Sequence, residues 1–230
     1  MLYKEWKTVR LKFWLWFSTY LIIGILLVVI WSATRNQWGA MYYTWLNIGV
    51  FLTLVGGIFG GIDLVSEETD KGTLSFLLTR PLSRAYIYLS KLLVNIVALS
   101  IACFSVSLVV LVIDQHTYSQ KSLTLSDAVA LTLLMWLVGV LAIGVSGLIS
   151  IFTRNSIQTL FCSVVAILPL ALVLNLLGNV LHSKVFSTYI IYPGSDNTYL
   201  SGNFESVLLL GGLAVVSFWV GARLFERREF

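Results

Sequence analysis

Six stretches of this sequence, 13–33, 44–62, 92–113, 128–152, 157–181 and 206–222, contain no Asp, Glu, Lys, Arg or His. Each is about 17–25 residues long, the length an α-helix needs to cross the hydrocarbon core of a bilayer. The strands of a membrane barrel would be about half as long and would alternate in polarity. The predicted fold class is therefore an all-α polytopic membrane protein with six transmembrane helices. Composition closes off the alternatives. Apolar residues make up 58% of the 230 and charged residues 11%, against about 45–50% and about 25% in soluble domains. A soluble core of this length cannot hide so much apolar surface. A soluble enzyme, a disordered chain, a coiled coil and a disulfide scaffold are all excluded. Cys103 and Cys162 both fall inside apolar runs and read as small buried hydrophobes.

The net charge of +4 is small, and its placement is more informative. Six spans put both termini on one side. Twelve of the 15 Lys and Arg residues then share that side: Lys4, Lys7, Arg10, Lys12, Lys71, Arg80, Arg84, Lys91, Arg154, Arg223, Arg227 and Arg228. Only Arg35, Lys121 and Lys184 fall opposite. Lys and Arg accumulate on cytoplasmic segments, so both termini are expected in the cytoplasm and the chain in the inner (cytoplasmic) membrane. The first apolar run follows a basic stretch, as in a signal peptide. It exceeds the about 7–15 residues of a signal's apolar core and is expected to be kept as a span. Before it, Leu2, Trp6, Val9 and Phe13 fall in one stripe at 100° per residue, with Lys4, Lys7, Arg10 and Lys12 around the rest. That pattern predicts an amphipathic helix over residues 1–12, lying in the interface.

The expected outer loops cover 34–43, 114–127 and 182–205, the last with a turn signal over residues 193–197. The inner loop 153–156 is very short. The inner loop 63–91 is long and charged. No repeat, low-complexity tract or soluble domain interrupts the chain, so 1–230 reads as one transmembrane domain.

Several chemistries lack their residues. Ionisable groups inside a span usually mark proton or ion coupling, and the six runs have none, which disfavours a proton-driven carrier. Backbone carbonyls and hydroxyls remain able to hold Na⁺. The P-loop needs a Lys after a Gly, and no Lys here follows one, so no cofactor is expected on this chain. His116 and His182 lack metal-type spacing. Ser183 and Asp196 have no nucleophile-elbow motif beside them and read as ordinary loop polarity.

Within 63–91, Gly72 permits a sharp turn and Thr73 is suited to cap a short helix ending before Pro81. Ser83 is suited to cap the next helix. Leu74, Leu77 and Leu78 share one face of the short helix, which is too short to hold itself together in water. Docking on a partner and packing on this chain's own membrane ends are equally compatible with the composition.

The run Glu67-x4-Gly72-Thr73-Leu74-x2-Leu77-Leu78-x2-Pro81-x-Ser83-Arg84-x6-Lys91, directly after a second span, resembles the signature loop of ABC-2-type transporter permeases. These are six-span membrane subunits of ATP-binding-cassette exporters, and the resemblance extends to the topology of the whole chain. It implies that this loop forms a cytoplasmic coupling helix seated in a cleft of a separate ATPase subunit, which binds ATP and Mg²⁺. Gly72, Thr73, Leu74, Leu77 and Leu78 would then touch the ATPase, framed by Glu67, Glu68, Arg80 and Arg84. Arg154 would form a lesser second contact. The resemblance further implies re-entrant helices in the outer segment 174–205. It also implies a second permease copy, identical or paralogous, as partner beside the membrane lipids.

Two small-xxx-small pairs overlap in the second span, Gly56/Gly60 and Gly57/Gly61. They present flat faces for close helix approach, and packing within the subunit is the preferred reading over a dimer seam. Gly139, Gly144 and Gly147 read the same way, and Pro169 predicts a kink. A transport path would be apolar with scattered Asn47, Asn95, Ser100, Ser146 and Asn175. The same side chains equally serve helix-to-helix hydrogen bonds. Such a lining suits a lipid, an amphipathic peptide or a hydrophobic drug. Three functions compete: an exporter permease using ATP hydrolysed by a separate subunit, a Na⁺-coupled secondary carrier, and a non-transporting membrane scaffold that recruits a cytoplasmic partner.

Overall fold

The computed structural model describes residues 2–34, 41–62, 64–70, 83–117, 125–181 and 200–227. All regular structure among them is helical. The elements are α1 (Leu2–Thr34), α2 (Met41–Ile62), α3 (Ser66–Asp70), α4 (Arg84–Thr117), α5 (Leu125–Phe152), α6 (Ser156–Leu181) and α7 (Leu200–Arg227). In hydrocarbon every backbone N–H and C=O must be satisfied within the segment, and a helix does this without a partner. Among the described residues five helices hold stretches long and apolar enough to cross a membrane: Phe13–Ile30, Thr44–Ile62, Arg84–Asp114, Ala128–Phe152 and Val207–Arg227. The chain is a multi-pass membrane protein.

Helix boundaries depart from the apolar runs where polar residues extend a helix. Segment 1–12 was expected to lie apart from the first span, yet one helix runs Leu2–Thr34. The third apolar run was expected from residue 92 within a helix capped by Ser83, and α4 does begin at Arg84. Its start is set by Ser83, whose Oγ accepts from the Tyr86 N–H at 3.3 Å and whose carbonyl accepts from the Ile87 N–H at 3.2 Å. Asp114, expected to open an outer loop, is buried within α4. The tight turn between α5 and α6 matches expectation: the Thr153 N–H bonds to the Ile149 carbonyl, the Thr159 N–H to the Asn155 carbonyl, and the two threonine hydroxyls meet. Helix α6 continues through Pro169. Cys103 is buried as expected. Cys162 is exposed on α6, where a thiol on an apolar face costs little.

Helices α2 and α5 form the centre, with α4 and α7 against α5 and α1 against α4. One apolar cluster joins Leu64, Tyr88, Leu92 and Phe225 near the end carrying α3 and extends through Ile143 to Leu210. A second joins Tyr20, Trp45, Val106, Val110 and Met135 toward the opposite end. Over the candidate spans α5 is 61% buried and α1 only 22%, so α1 is a peripheral helix whose Leu15, Ile22, Ile25 and Ile30 face outward. An exposed apolar face is what a lipid solvent accepts.

Candidate functional site

Two features stand out: the seat of the charged loop at one end of the helices, and an apolar pocket one helical turn further in.

The polypeptide leaves α2 through a turn packed into the core. Leu64 and Val65 are buried, the Leu64 N–H bonds to the Gly61 carbonyl at 3.2 Å, and the Ser66 hydroxyl donates to the Ile62 carbonyl at 2.9 Å. These bonds fix the base of α3 to the end of α2. From α3 the Glu68 carboxylate meets Lys91 of α4, with Oε1 and Nζ 3.0 Å apart. The Lys91 side chain is 7% exposed and that of Glu68 is 23% exposed. Taking two charges out of water costs several kcal/mol each before their attraction returns it, so this pair is a specific joint rather than surface decoration. α3 also lies against α6.

Of the expected ATPase-contact residues, Gly72, Thr73, Leu74, Leu77, Leu78 and Arg80 lie outside the described residues. Glu67 belongs to α3. Arg84 is half-buried at the first position of α4, and Arg154 is exposed in the turn between α5 and α6. Glu68 points back onto its own chain through Lys91.

The pocket holds about 330 Å³ and lies among α1, α2, α4 and α5, with walls that include Phe13, Trp16, Tyr20, Phe59, Gly60 and Asn95. The five expected path residues separate here. Asn95 lines the pocket while its Nδ2 donates to the Lys91 carbonyl at 3.0 Å. Ser146 is buried away from it, donating to the Ile58 carbonyl of α2 at 3.1 Å. Asn47 is exposed on α2. Asn175 belongs to α6, and its side chain lies outside the described residues. Ser100 accepts from the Trp136 indole at 2.9 Å and so bridges α4 to α5.

The glycine run of α2 divides between two surfaces. A Cβ at Gly57 would stand 2.8 Å from the Ala142 Cβ, and one at Gly61 would stand 2.7 Å from the Gly147 nitrogen and overlap Ser146. Those two glycines pack within the subunit, as expected. Gly56 and Gly60 line the pocket instead, where a Cβ would find its nearest neighbours, Leu99 and Asn95 or Ile143, at 3.5 Å. Near the α3 end, Gly147 and Gly221 cradle the Tyr88 ring, which also meets Phe225 with centroids 5.9 Å apart. Sequence reasoning did not single out Tyr88, Trp16 or Phe59, nor pair Lys91 with Glu68. The only sequence signal for the pair was the place of both in the charged 63–91 loop.

The family model described as ABC-2 family transporter protein matches residues 33–230. No curated protein matches the chain.

Proposed function

The chain belongs to the ABC-2 transporter family, and from that premise we propose that it is the membrane-spanning permease subunit of an ATP-driven exporter. The observation that carries the reading is the family match over residues 33–230 on a chain whose described residues include five helices able to cross a membrane. Helix α6 is the sixth span: it is 26 residues long and its run 157–181 lacks charge. Both termini and the 63–91 loop then face the cytoplasm of the inner membrane, as the bias of Lys and Arg requires. A separate cassette ATPase binds ATP and Mg²⁺ and docks on the loop. Leu74, Leu77 and Leu78 fill its cleft, Gly72 and Thr73 turn the chain into it, and Glu67, Arg80 and Arg84 frame the contact. Arg154, at the short turn before α6, makes the lesser one.

Two permease copies, identical or paralogous, enclose the path. Closure of the ATPases on ATP pushes the loops and switches the path from inward to outward access. The substrate is hydrophobic or amphipathic. Support for this comes from the pocket, whose walls are mainly aromatic and aliphatic with the Asn95 amide among them. Such walls bury apolar surface and leave no fixed charge for an ion or a sugar phosphate.

The test is co-purification with candidate cassette ATPases, followed by ATP hydrolysis and transport assays against a panel of lipids, peptides and drugs. A stable complex whose hydrolysis responds to an apolar panel member supports the reading. Absence of any ATPase from the purified complex contradicts it. Replacing Leu77 and Leu78 with Ser separates docking from self-packing of the loop. Loss of an interface hot spot costs about 2 kcal/mol or more, over tenfold in affinity. Normal abundance with a lost ATPase marks docking, and degradation before membrane insertion marks a structural stripe.

A further inference from the structure

The Glu68–Lys91 pair sits where the loop meets the membrane helices, and its neighbours give it a purpose. Tyr88, Lys91 and Asn95 are spaced i, i+3 and i+7, so they share one face of α4. Tyr88 is held between Gly147 of α5 and Gly221 of α7: a Cβ at Gly147 would stand 2.9 Å from its hydroxyl. Lys91 is tied to α3 at 3.0 Å. Asn95 forms part of the pocket wall and bonds back to the Lys91 carbonyl at 3.0 Å. Two turns of one helix thus join the loop, the seat among α5 and α7, and the pocket.

An apolar contact would fill the space at Lys91 at least as well. Replacing a buried ion pair with well-packed hydrophobes is often neutral or stabilising. What a charged pair supplies and an apolar contact does not is direction. It ties one donor to one acceptor, here 3.0 Å apart, and so links α3 to α4 through a specific contact. The base of α3 is itself pinned to the end of α2 by the Ser66 and Leu64 bonds. The segment is therefore bonded at both ends, its base to α2 and Glu68 to α4.

We propose that the Glu68–Lys91 pair is a strut that carries displacement of the cytoplasmic loop into the wall of the pocket. The pair acts inside the permease, and both are positioning residues. The inference rests on the exporter reading above.

The test uses the full complex with its ATPase in proteoliposomes, with Cys103 and Cys162 replaced by Ala and one cysteine introduced as Ala98→Cys. Ala98 is buried and lines the pocket, so its rate of labelling by a maleimide reports pocket access and requires no knowledge of the substrate. Vanadate trapping of the ATPase should change that rate by at least about fivefold, the lower end of typical coupling between sites. Lys91→Met should erase the change while the complex stays assembled and hydrolyses ATP. The exchanged pair, Glu68→Lys with Lys91→Glu, should restore at least part of it. A Lys91→Met variant that responds like its parent overturns the strut. So does a parent complex that binds its ATPase but shows no response to trapping. If both the single and the exchanged variants fail to accumulate, the pair merely holds the fold and the strut is again overturned. A parent chain that recovers no ATPase at all fails differently, since it removes the exporter reading first.

Discussion

Gly57 and Gly61 face α5 across a closed seam, and Gly56 and Gly60 face an open pocket, although the four lie in one run of six residues. On the seam side the backbones of α2 and α5 approach until a methyl group would strike Gly139, Ala142, Ser146 or Gly147. Ser146 completes that contact with its bonds to Gly57 and Ile58. On the pocket side the nearest atoms stand at ordinary van der Waals distance. In lipid there is no hydrophobic drive between helices, so association relies on close packing and interhelical hydrogen bonds. The contrast shows how one motif supplies both a rigid joint and room beside it. Small residues that meet small residues close a seam, and small residues that meet the longer side chains Leu99, Asn95, Ile143 and Trp16 leave space.

The comparison is most severely strained by Gly61→Leu. Its Cβ would already stand 2.7 Å from the Gly147 nitrogen, so the whole side chain cannot be placed without separating α2 from α5. The expected outcome is loss of monodisperse protein on size exclusion in detergent. Gly57→Ala should be milder. Overpacking by one methyl against the Ala142 Cβ and the Gly139 carbonyl costs about 1–3 kcal/mol, seen as a lower midpoint in thermal unfolding. Ser146→Ala removes the interhelical bonds to Gly57 and Ile58 and a weak one to Ile143 of its own helix. Such bonds average about 0.6 kcal/mol in membrane proteins, so the melting midpoint should fall by less than for Gly57→Ala. Gly56→Ala, on the pocket face, should leave stability within about 0.5 kcal/mol of the parent. If Gly56→Ala proved as damaging as Gly57→Ala, the two faces would not differ and the pocket would be closed in the folded protein.

Much of the fold was legible because hydrocarbon allows little choice. The uncharged runs mark helices, and the run of four residues after Phe152 leaves room only for a tight turn. What the runs did not carry is where a helix continues beyond the hydrocarbon. At α4 the capping chemistry of Ser83 supplied it, and the helix begins at Arg84, eight residues before the apolar run; at α1 nothing marked that one helix would run Leu2–Thr34. The glycine pairs were legible as faces for close approach, but not which pair closes and which lines a pocket. The deciding neighbours, Gly139 through Gly147 on one side and Trp16 on the other, are tens of residues away in sequence. Polar residues within spans were the least legible. Asn95 and Ser146 look alike in the sequence, yet one lines the pocket and the other bonds two helices. Glu68 was expected to frame the ATPase contact, beside Glu67 in the charged loop. Its partner Lys91, 23 positions on, follows from no helical or strand period.

The account depends most on a cytoplasmic ATPase docking on the 63–91 loop, and one cross-linking measurement addresses that directly. A photo-reactive amino acid is placed at Leu77 in one sample and at Asn197 in another, and each is illuminated in cells expressing the chain with its candidate ATPase. The account predicts an adduct of permease and ATPase from position 77 and none from position 197, which it puts across the membrane. An adduct from position 197, or none from position 77 when the ATPase is present, would contradict it.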